Sequence, residues 1–428
     1  MSEDSYSEVT NESIFGRIKN AIVGVLFGMI LIAVSVGLLF WNEGRTVNTY
    51  KALKEGAGLV ISIDNNRIFA ENEGKLVHIS GMATTDEILK DPQFSLSTNA
   101  ISLKRMVQMY QWQETSETKK RKKFGGGEET VKVYSYDKTW SSQVISSSSF
   151  KKPGNHKNPG RMMFDSRTLR ARDVSLGAFT LSDSLVGEIS SYESLPISDI
   201  SGIKAFGKNV IQTADGLYIG NDVNSPQIGD MTIQFAHVLP TTVSLVSKQS
   251  GNSFKPYVTS YEKSIEELVL GVASAEAIIK KAQSENTLFA WLLRLGGFVL
   301  MVIGFYLLFN PLAVIADIVP FIGNIVEFGT GILAFLLSLI ISLTTIAIAW
   351  IFYRPVLAGV LLTIAVAVII MGFRSGKKKR IKKPEVKPPL DGSSKKRESS
   401  SEEAFEIQNE SSSSSKKSTV SDPFLIDD

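Results

Sequence analysis

Three histidines, His78, His156 and His237, and no cysteine make up the chain's supply of soft or near-neutral titrating side chains. Without cysteine there is neither a disulfide framework nor a thiolate zinc site. No two histidines stand four apart on a helix, and H-E-x-x-H does not occur. There is no G-x-S-x-G elbow and no P-loop. Gly125-Gly126-Gly127 has no helical pattern after it and reads as a loop rather than a phosphate cradle. His78 shares a strand face with Leu76 and Ser80, His156 lies in a glycine- and proline-rich loop, and His237 precedes Val238-Leu239-Pro240 on a strand. Each is read as structural. The expectation is a protein without catalytic residues, cofactor, metal or small-molecule substrate.

The remaining candidates for chemistry are ionisable side chains in apolar surroundings, which are costly there and call for a functional reason. They are Arg294, Asp317, Glu327 and Arg354. Their setting is four long apolar runs. Residues 21–41 carry no charge for 21 positions, and about 20 helical residues cross a bilayer core of about 30 Å. The run is too long for a signal peptide and ends in Phe40-Trp41-Asn42-Glu43, a poor cleavage site. Further runs cover 288–309, 329–352 and 355–373, the last two separated only by Tyr353-Arg354 ahead of Pro355. Arg294 is placed to snorkel from the second run to the exoplasmic surface. The connection 310–328 is apolar for a loop yet holds Asp317, Asn324 and Glu327, and reads as an interfacial amphipathic segment.

Lysine and arginine near the span ends set the direction. The first span is flanked by both signs of the signal, whereas Lys377, Lys378, Lys379, Arg380, Lys382 and Lys383 follow the last. That places the C-terminus in the cytoplasm and, over four spans, residues 1–20 with it. Residues 42–286 then lie on the exoplasmic side, lumenal or periplasmic. Asn-x-Ser/Thr sequons occur only at Asn11 and Asn409, on the expected cytoplasmic side. The basic cluster anchors topology and can meet anionic lipid; a nuclear-localisation signal is the other reading. Net charge is only +3, so the chain is no general polyanion binder and nucleic acid is not an expected partner. Residues 376–428, dominated by Lys, Ser, Glu and Pro, read as a disordered cytoplasmic tail.

The exoplasmic segment reads as α+β with a mainly antiparallel sheet. Residues 58–63 and 75–80 form short β-rich runs. Residues 102–114 alternate, with Val107, Met109, Gln111 and Gln113 on one face, and 130–145 are rich in Val, Tyr, Trp and Thr. With the basic, glycine-containing loop 119–129 between them, they predict a long hairpin with an exposed, mobile tip. Residues 264–281 show helical periodicity, with Ser274 and Glu276 suited to capping. Two similar words stand thirty residues apart: Asn42-Glu43-Gly44-Arg45, where Gly44 is expected to end the first helix, and Asn72-Glu73-Gly74-Lys75, a turn into a strand. Gly24-x-x-x-Gly28 in the first span permits close helix approach and is a candidate self-association face.

Several of these words, NEGR (42–45), ENEGKLVHI (71–79), MYQWQE (109–114), YSYDKTW (134–140), HKNP (156–159) and FYRP (352–355), run in an order that resembles the transmembrane protein 43 family, also called LUMA. The resemblance covers roughly residues 20 to 375. It implies four spans, a large lumenal domain, residence in the endoplasmic reticulum and inner nuclear membrane, and self-association. It links members to emerin, lamins and nuclear-envelope organisation. It carries no catalytic residues. In a bacterial member the domain would be periplasmic and the membrane the inner one. The functional expectation is a non-enzymatic scaffold whose partners are the bilayer, further copies of itself and other membrane proteins. The competing expectation is a channel or transporter component built on Asp317, Glu327 and Arg354.

Overall fold

The computed structural model describes residues 5–197, 203, 207–356, 358–360, 363, 364, 367, 370 and 371. The expected fourth span 355–373 lies partly, and the tail with its basic cluster wholly, outside the described residues. All elements below belong to the unit that ends at Ala367.

The chain opens with strand β1 (Ser5–Glu12) and helix α1 (Ile14–Leu59), whose Ser13 cap accepts from the Gly16 amide. At 1.5 Å per residue, α1 is about 69 Å long. Strand β2 is Leu76–Thr84; β3 (Ser102–Lys122) and β4 (Glu128–Ser141) form the long hairpin. A short helix α2 (Asp183–Glu188) precedes β5 (Val210–Thr213), β6 (Gly216–Ile219), β7 (Met231–Val238), β8 (Thr241–Ser250) and β9 (Glu267–Leu270). Helices α3 (Ala275–Ala316) and α4 (Pro320–Tyr353) follow. Three helices, α1, α3 and α4, are long and apolar enough to cross a membrane.

Two large sheets, antiparallel apart from a short parallel pairing of 61–62 with β2, build the folded domain. One runs β1-β4-β3-β7-β6-β5; the other is centred on β2 paired with β8, with β9 on the far side of β8. The alternation read for 102–114 holds in the core half of β3, where Val107, Met109 and Gln111 are buried. Val107 stands opposite Ile233 and Met109 opposite Met231, and these side chains meet Ile79 and Leu245 of the second sheet in one apolar core. The outer face of the second sheet packs on the helices: Leu76 and Val246, joined by Ile265 of a separate two-stranded sheet, close over Leu53 of α1 and Ile278, Ile279 and Ala282 of α3.

The hairpin differs from the expected mobile tip. Both strands run through the basic segment, with Lys122 opposite Glu128, and only 123–127 turns. β1 adds a third strand, Val9 opposite Val131 and Glu12 opposite Glu128. The result is a three-stranded ribbon that leaves the domain at Met109 and reaches the N-terminal end of α1, where Gly125 donates its amide to the carbonyl of Ile318 (3.1 Å). Thirteen residues of β3 at about 3.4 Å each cover about 44 Å. Helix and ribbon therefore join the same two ends of the molecule. The ribbon holds its shape because its basic residues have cross-strand partners: Lys120 with Glu128 (2.9 Å) and Lys123 with Glu129 (2.6 Å).

Three further expectations need correction. Gly44 does not end α1, which continues fifteen residues to Leu59; Gly44 instead admits the ring of Tyr353, from which an added Cβ would stand 2.6 Å. The 310–328 connection is not a segment apart from the helices on either side. α3 runs through Pro311 to Ala316 and α4 begins at Pro320, because the apolar residues of 312–316 continue the helical pattern. Residues 264–270 form strands, and the α3 helix starts only at its Ser274 cap, which accepts from the Ala277 amide. Gly74 does adopt a left-handed turn (φ +75°) ahead of β2.

Candidate functional site: ion clusters at the two ends of the helices

α1 and α3 are antiparallel and very close. An added Cβ on Gly28 would lie 2.6 Å from the carbonyl oxygen of Gly304, and one on Gly304 would lie 2.9 Å from that of Gly28. The small-residue face expected to mediate self-association is thus occupied by α3 of the same chain. Gly24 sits more loosely, 3.7 Å from Leu307. This contact brings polar side chains of the two helices into register at both ends.

At the end nearer the sheets, Glu43 is fully buried. Arg294 donates Nε to Oε1 (2.6 Å) and a terminal nitrogen to Oε2 (3.0 Å), and the Trp350 indole of α4 donates to Oε2 as well (2.8 Å). A bidentate guanidinium and an indole satisfy the buried carboxylate. Asn42 donates to the Ala290 carbonyl and Asn286 to the Thr46 carbonyl, both at 3.0 Å. Arg294 is thus held against Glu43 and lies over the Trp291 ring. Arg354 packs over Trp350, at the same end but outside the ion pair.

At the other end, Asp317 is 1 % exposed at its side chain and takes two cations: Arg17 at 2.5 Å and Lys122 at 2.8 Å. Arg17 also donates to the Gly126 carbonyl (2.7 Å) and lies 3.6 Å from Glu128. Lys122 continues to Glu327 (2.6 Å), whose other oxygen accepts from the Tyr306 hydroxyl (2.8 Å). Burial alone would lower the Lys122 pKa; hydrogen bonds and attraction to Asp317 and Glu327 outweigh it and raise the value, keeping the ammonium charged. Gly323 is necessary here, since a Cβ on it would fall on the Asp317 carboxylate. A cavity of 530 Å³ adjoins the cluster, with Arg17, Lys120 and Lys122 facing Glu12, Glu128, Asp317 and Glu327 on its walls.

The four sequence candidates therefore divide. Asp317 and Glu327 meet through Lys122; Arg294 and Arg354 lie at the opposite end. Sequence reasoning missed Arg17, Glu43, Lys122 and Glu128. For Glu43 a signal existed: a carboxylate directly after an apolar run, with one arginine buried in the next run. The tip contacts carry no such signal, because the charge pattern around the spans places residues 1–20 and 42–286 on opposite faces.

The histidines hold backbone and side chains in place. His78 bridges Ser62 (3.1 Å) and the Ala273 carbonyl (2.8 Å), and His237 meets Thr98 (3.1 Å). His156 is buried, stacked on Tyr136 and edge-on to Trp112. Among the described residues no His/Asp/Glu group is arranged to hold a metal.

Apolar helices pinned at both ends by buried charge, carrying a two-sheet domain and a polar ribbon, define an integral membrane protein. Comparison with known proteins gives the family. Residues 109–355 match the profile of Transmembrane protein 43. The chain is 31 % identical to rat Transmembrane protein 43 over 366 residues, covering 83 % of this chain and 90 % of the relative. It is 30 % identical to the human protein over 370 residues, with the same shares. It is also 30 % identical to a Drosophila melanogaster homolog over 353 residues, 79 % of this chain and 90 % of the relative. No solved structure matches. The chain belongs to the transmembrane protein 43 family.

Proposed function

We propose that the protein is a non-enzymatic membrane scaffold that self-associates and organises other membrane proteins, in the endoplasmic reticulum and inner nuclear membrane of a eukaryote or the inner membrane of a bacterium. Four spans carry the chain across the bilayer, with both termini cytoplasmic and 42–286 exoplasmic save for the ribbon, which runs back beside the helices to pair with β1 at the N-terminal end of α1. The observation that carries the reading is the double latch. Charged groups in and beside the apolar helices are neutralised within the chain, Glu43 by Arg294 and Asp317 by Arg17 and Lys122, which makes a stiff frame rather than a reactive centre.

The ribbon supports self-association. In this topology it runs at the level of the bilayer, yet it carries Glu117, Lys119, Lys132 and Glu8, and among the described residues no strand adjoins the outer edge of β1 from Tyr6 onward or of β3 beyond Gln113. Polar backbone with open edges is tolerated at that depth only inside protein or beside enclosed water. Copies arranged around their ribbons supply that enclosure, and open edges are templates for pairing.

The same enclosure is the one observation in favour of a channel component, since polar ribbons would line it. Chemical crosslinking in the native membrane, followed by sizing, tests the scaffold reading: a ladder above the monomer is expected, with cysteines at Ser116 linking between copies. A monomer throughout would end the scaffold reading. Solute flux in vesicles that disappears on Lys122→Gln would favour the channel instead.

A further inference from the structure

A second cavity, of 930 Å³, opens where α1 leaves its apolar stretch and α4 ends. Its size lies within the range of about 300–1,000 Å³ typical of small-molecule sites. Its walls combine two chemistries. Lys51 and Lys54 of α1 and Arg354 after α4 stand on one side, and none of them has a carboxylate partner among the described residues. Lys51 and Arg354 only rest over the rings of Tyr261 and Trp350. Below them the wall is apolar and aromatic: Trp291, 63 % exposed, and Val356 and Val360, 83 % and 55 % exposed. Arg294, deeper in the wall, is already neutralised by Glu43. Arg354 directly follows the apolar helix α4, and Lys51 and Lys54 stand about three to four turns beyond Trp41 on α1, so that their long side chains meet Arg354 over the cavity on the headgroup side, where Trp and Tyr concentrate.

We infer that this cavity is a binding site for one anionic phospholipid, with the phosphate between Lys51, Lys54 and Arg354 and an acyl chain along Val356 and Val360. Basic pockets between membrane helices take acidic headgroups in this way. A neutral sterol would leave all three cations without a counter-charge. A zwitterionic lipid carries its own ammonium into the same basic corner. The inference needs only the membrane character of the chain and is independent of the scaffold reading.

Native mass spectrometry of the full chain with added phosphatidylglycerol or phosphatidylcholine tests it. The basic tail cluster also attracts anionic lipid, so two variants are compared: Lys51→Gln/Lys54→Gln/Arg354→Gln, and a full-length chain with Lys377, Lys378, Lys379, Arg380, Lys382 and Lys383 all changed to Gln. Phosphatidylglycerol should be retained at least about tenfold more tightly than phosphatidylcholine, a factor of ten being about 1.4 kcal/mol. That preference should survive the tail changes and vanish with the pocket changes. All three pocket side chains lie at the surface of the frame, and an unaltered thermal midpoint would show the fold intact. Preference lost with the tail changes and kept with the pocket changes overturns the inference. So does equal retention of the two lipids, or tighter binding of a sterol.

Discussion

Arg17 and Asp317, three hundred positions apart, meet as a buried ion pair with 2.5 Å between guanidinium nitrogen and carboxylate oxygen. Around this pair the start of α1, the end of α3 and the tip of the β3–β4 hairpin converge. It closes a frame whose other end is the Glu43–Arg294 pair and the sheet contact on α1. Removing one partner of a buried pair leaves the other charge uncompensated, at about 3–5 kcal/mol. Arg17→Met is therefore expected to release the ribbon tip before it unfolds the domain. Proteolysis within 119–129 should become fast while the sheets stay resistant. Unchanged cleavage would show that the pair does not hold the tip.

The Glu43–Arg294 pair should behave as a unit. Glu43→Gln and Arg294→Met should each clearly lower the thermal midpoint in detergent. The double change Glu43→Leu/Arg294→Met should lie closer to the parent than either single change, because no charge is left buried alone. Additive losses in the double variant would show that the two side chains do not depend on each other.

Gly28 and Gly24 should separate packing within the chain from association between chains. Gly28→Ala places a methyl against the Gly304 carbonyl, where neither backbone can yield, and should destabilise the helix pair by about 1–3 kcal/mol. Gly24→Ala meets only Leu307 at ordinary contact distance and should be close to neutral. Thermal unfolding of both variants checks the ranking. Equal effects would mean that the α1–α3 approach is looser than described.

Glu267 supplies a pH dependence. Burial first, and then the charges of Glu188 and Glu285, push its carboxyl from 4.5 up to about 7, against a smaller opposing pull from Lys281. With the folded value raised, the unfolded chain gives up its proton first. Stability is thus unaffected below about pH 4.5 and falls as pH rises from there to about 7. Glu267→Gln should remove this loss, gaining about 1–2 kcal/mol at pH 7.5 after allowance for solvent at a half-buried carboxyl, and little at pH 4.5. Thermal midpoints of both proteins across that range check it. A gain independent of pH would contradict the assignment.

Much of the frame was legible in the sequence because hydrophobic patterning is local. The charge-free run 21–41, the alternation through Val107 and Met109, the Ser274 cap and the Gly74 turn each need only a few residues to be read. The ends of elements were harder. Gly44 looked like a helix stop because its freedom at a terminus and its lack of bulk inside a helix leave the same letter. What fixes the second meaning is Tyr353, over three hundred residues away. β1 was invisible for a related reason: SYSEVTNE is polar but for Tyr6 and Val9, and its strand state comes from pairing with β4 more than from its own composition. Arg294 was recognised as costly, but its partner Glu43 emerges only when α1 and α3 are laid antiparallel with Gly28 against Gly304.

The most direct test of the closed frame uses the absence of native cysteine. Thr10 of β1 and Thr130 of β4 are direct strand partners. Cα atoms of such partners stand about 4.5–5.5 Å apart, within disulfide range. In the full-length chain carrying Thr10→Cys and Thr130→Cys, mild oxidation of intact membranes should form an intramolecular disulfide in most molecules. The control pair Thr10→Cys with Thr180→Cys, far from β1 in sequence and in another sheet, should not crosslink. Failure of the Thr10–Thr130 pair to crosslink, with the two cysteines labelled by an impermeant maleimide from opposite faces of the membrane, would contradict the account.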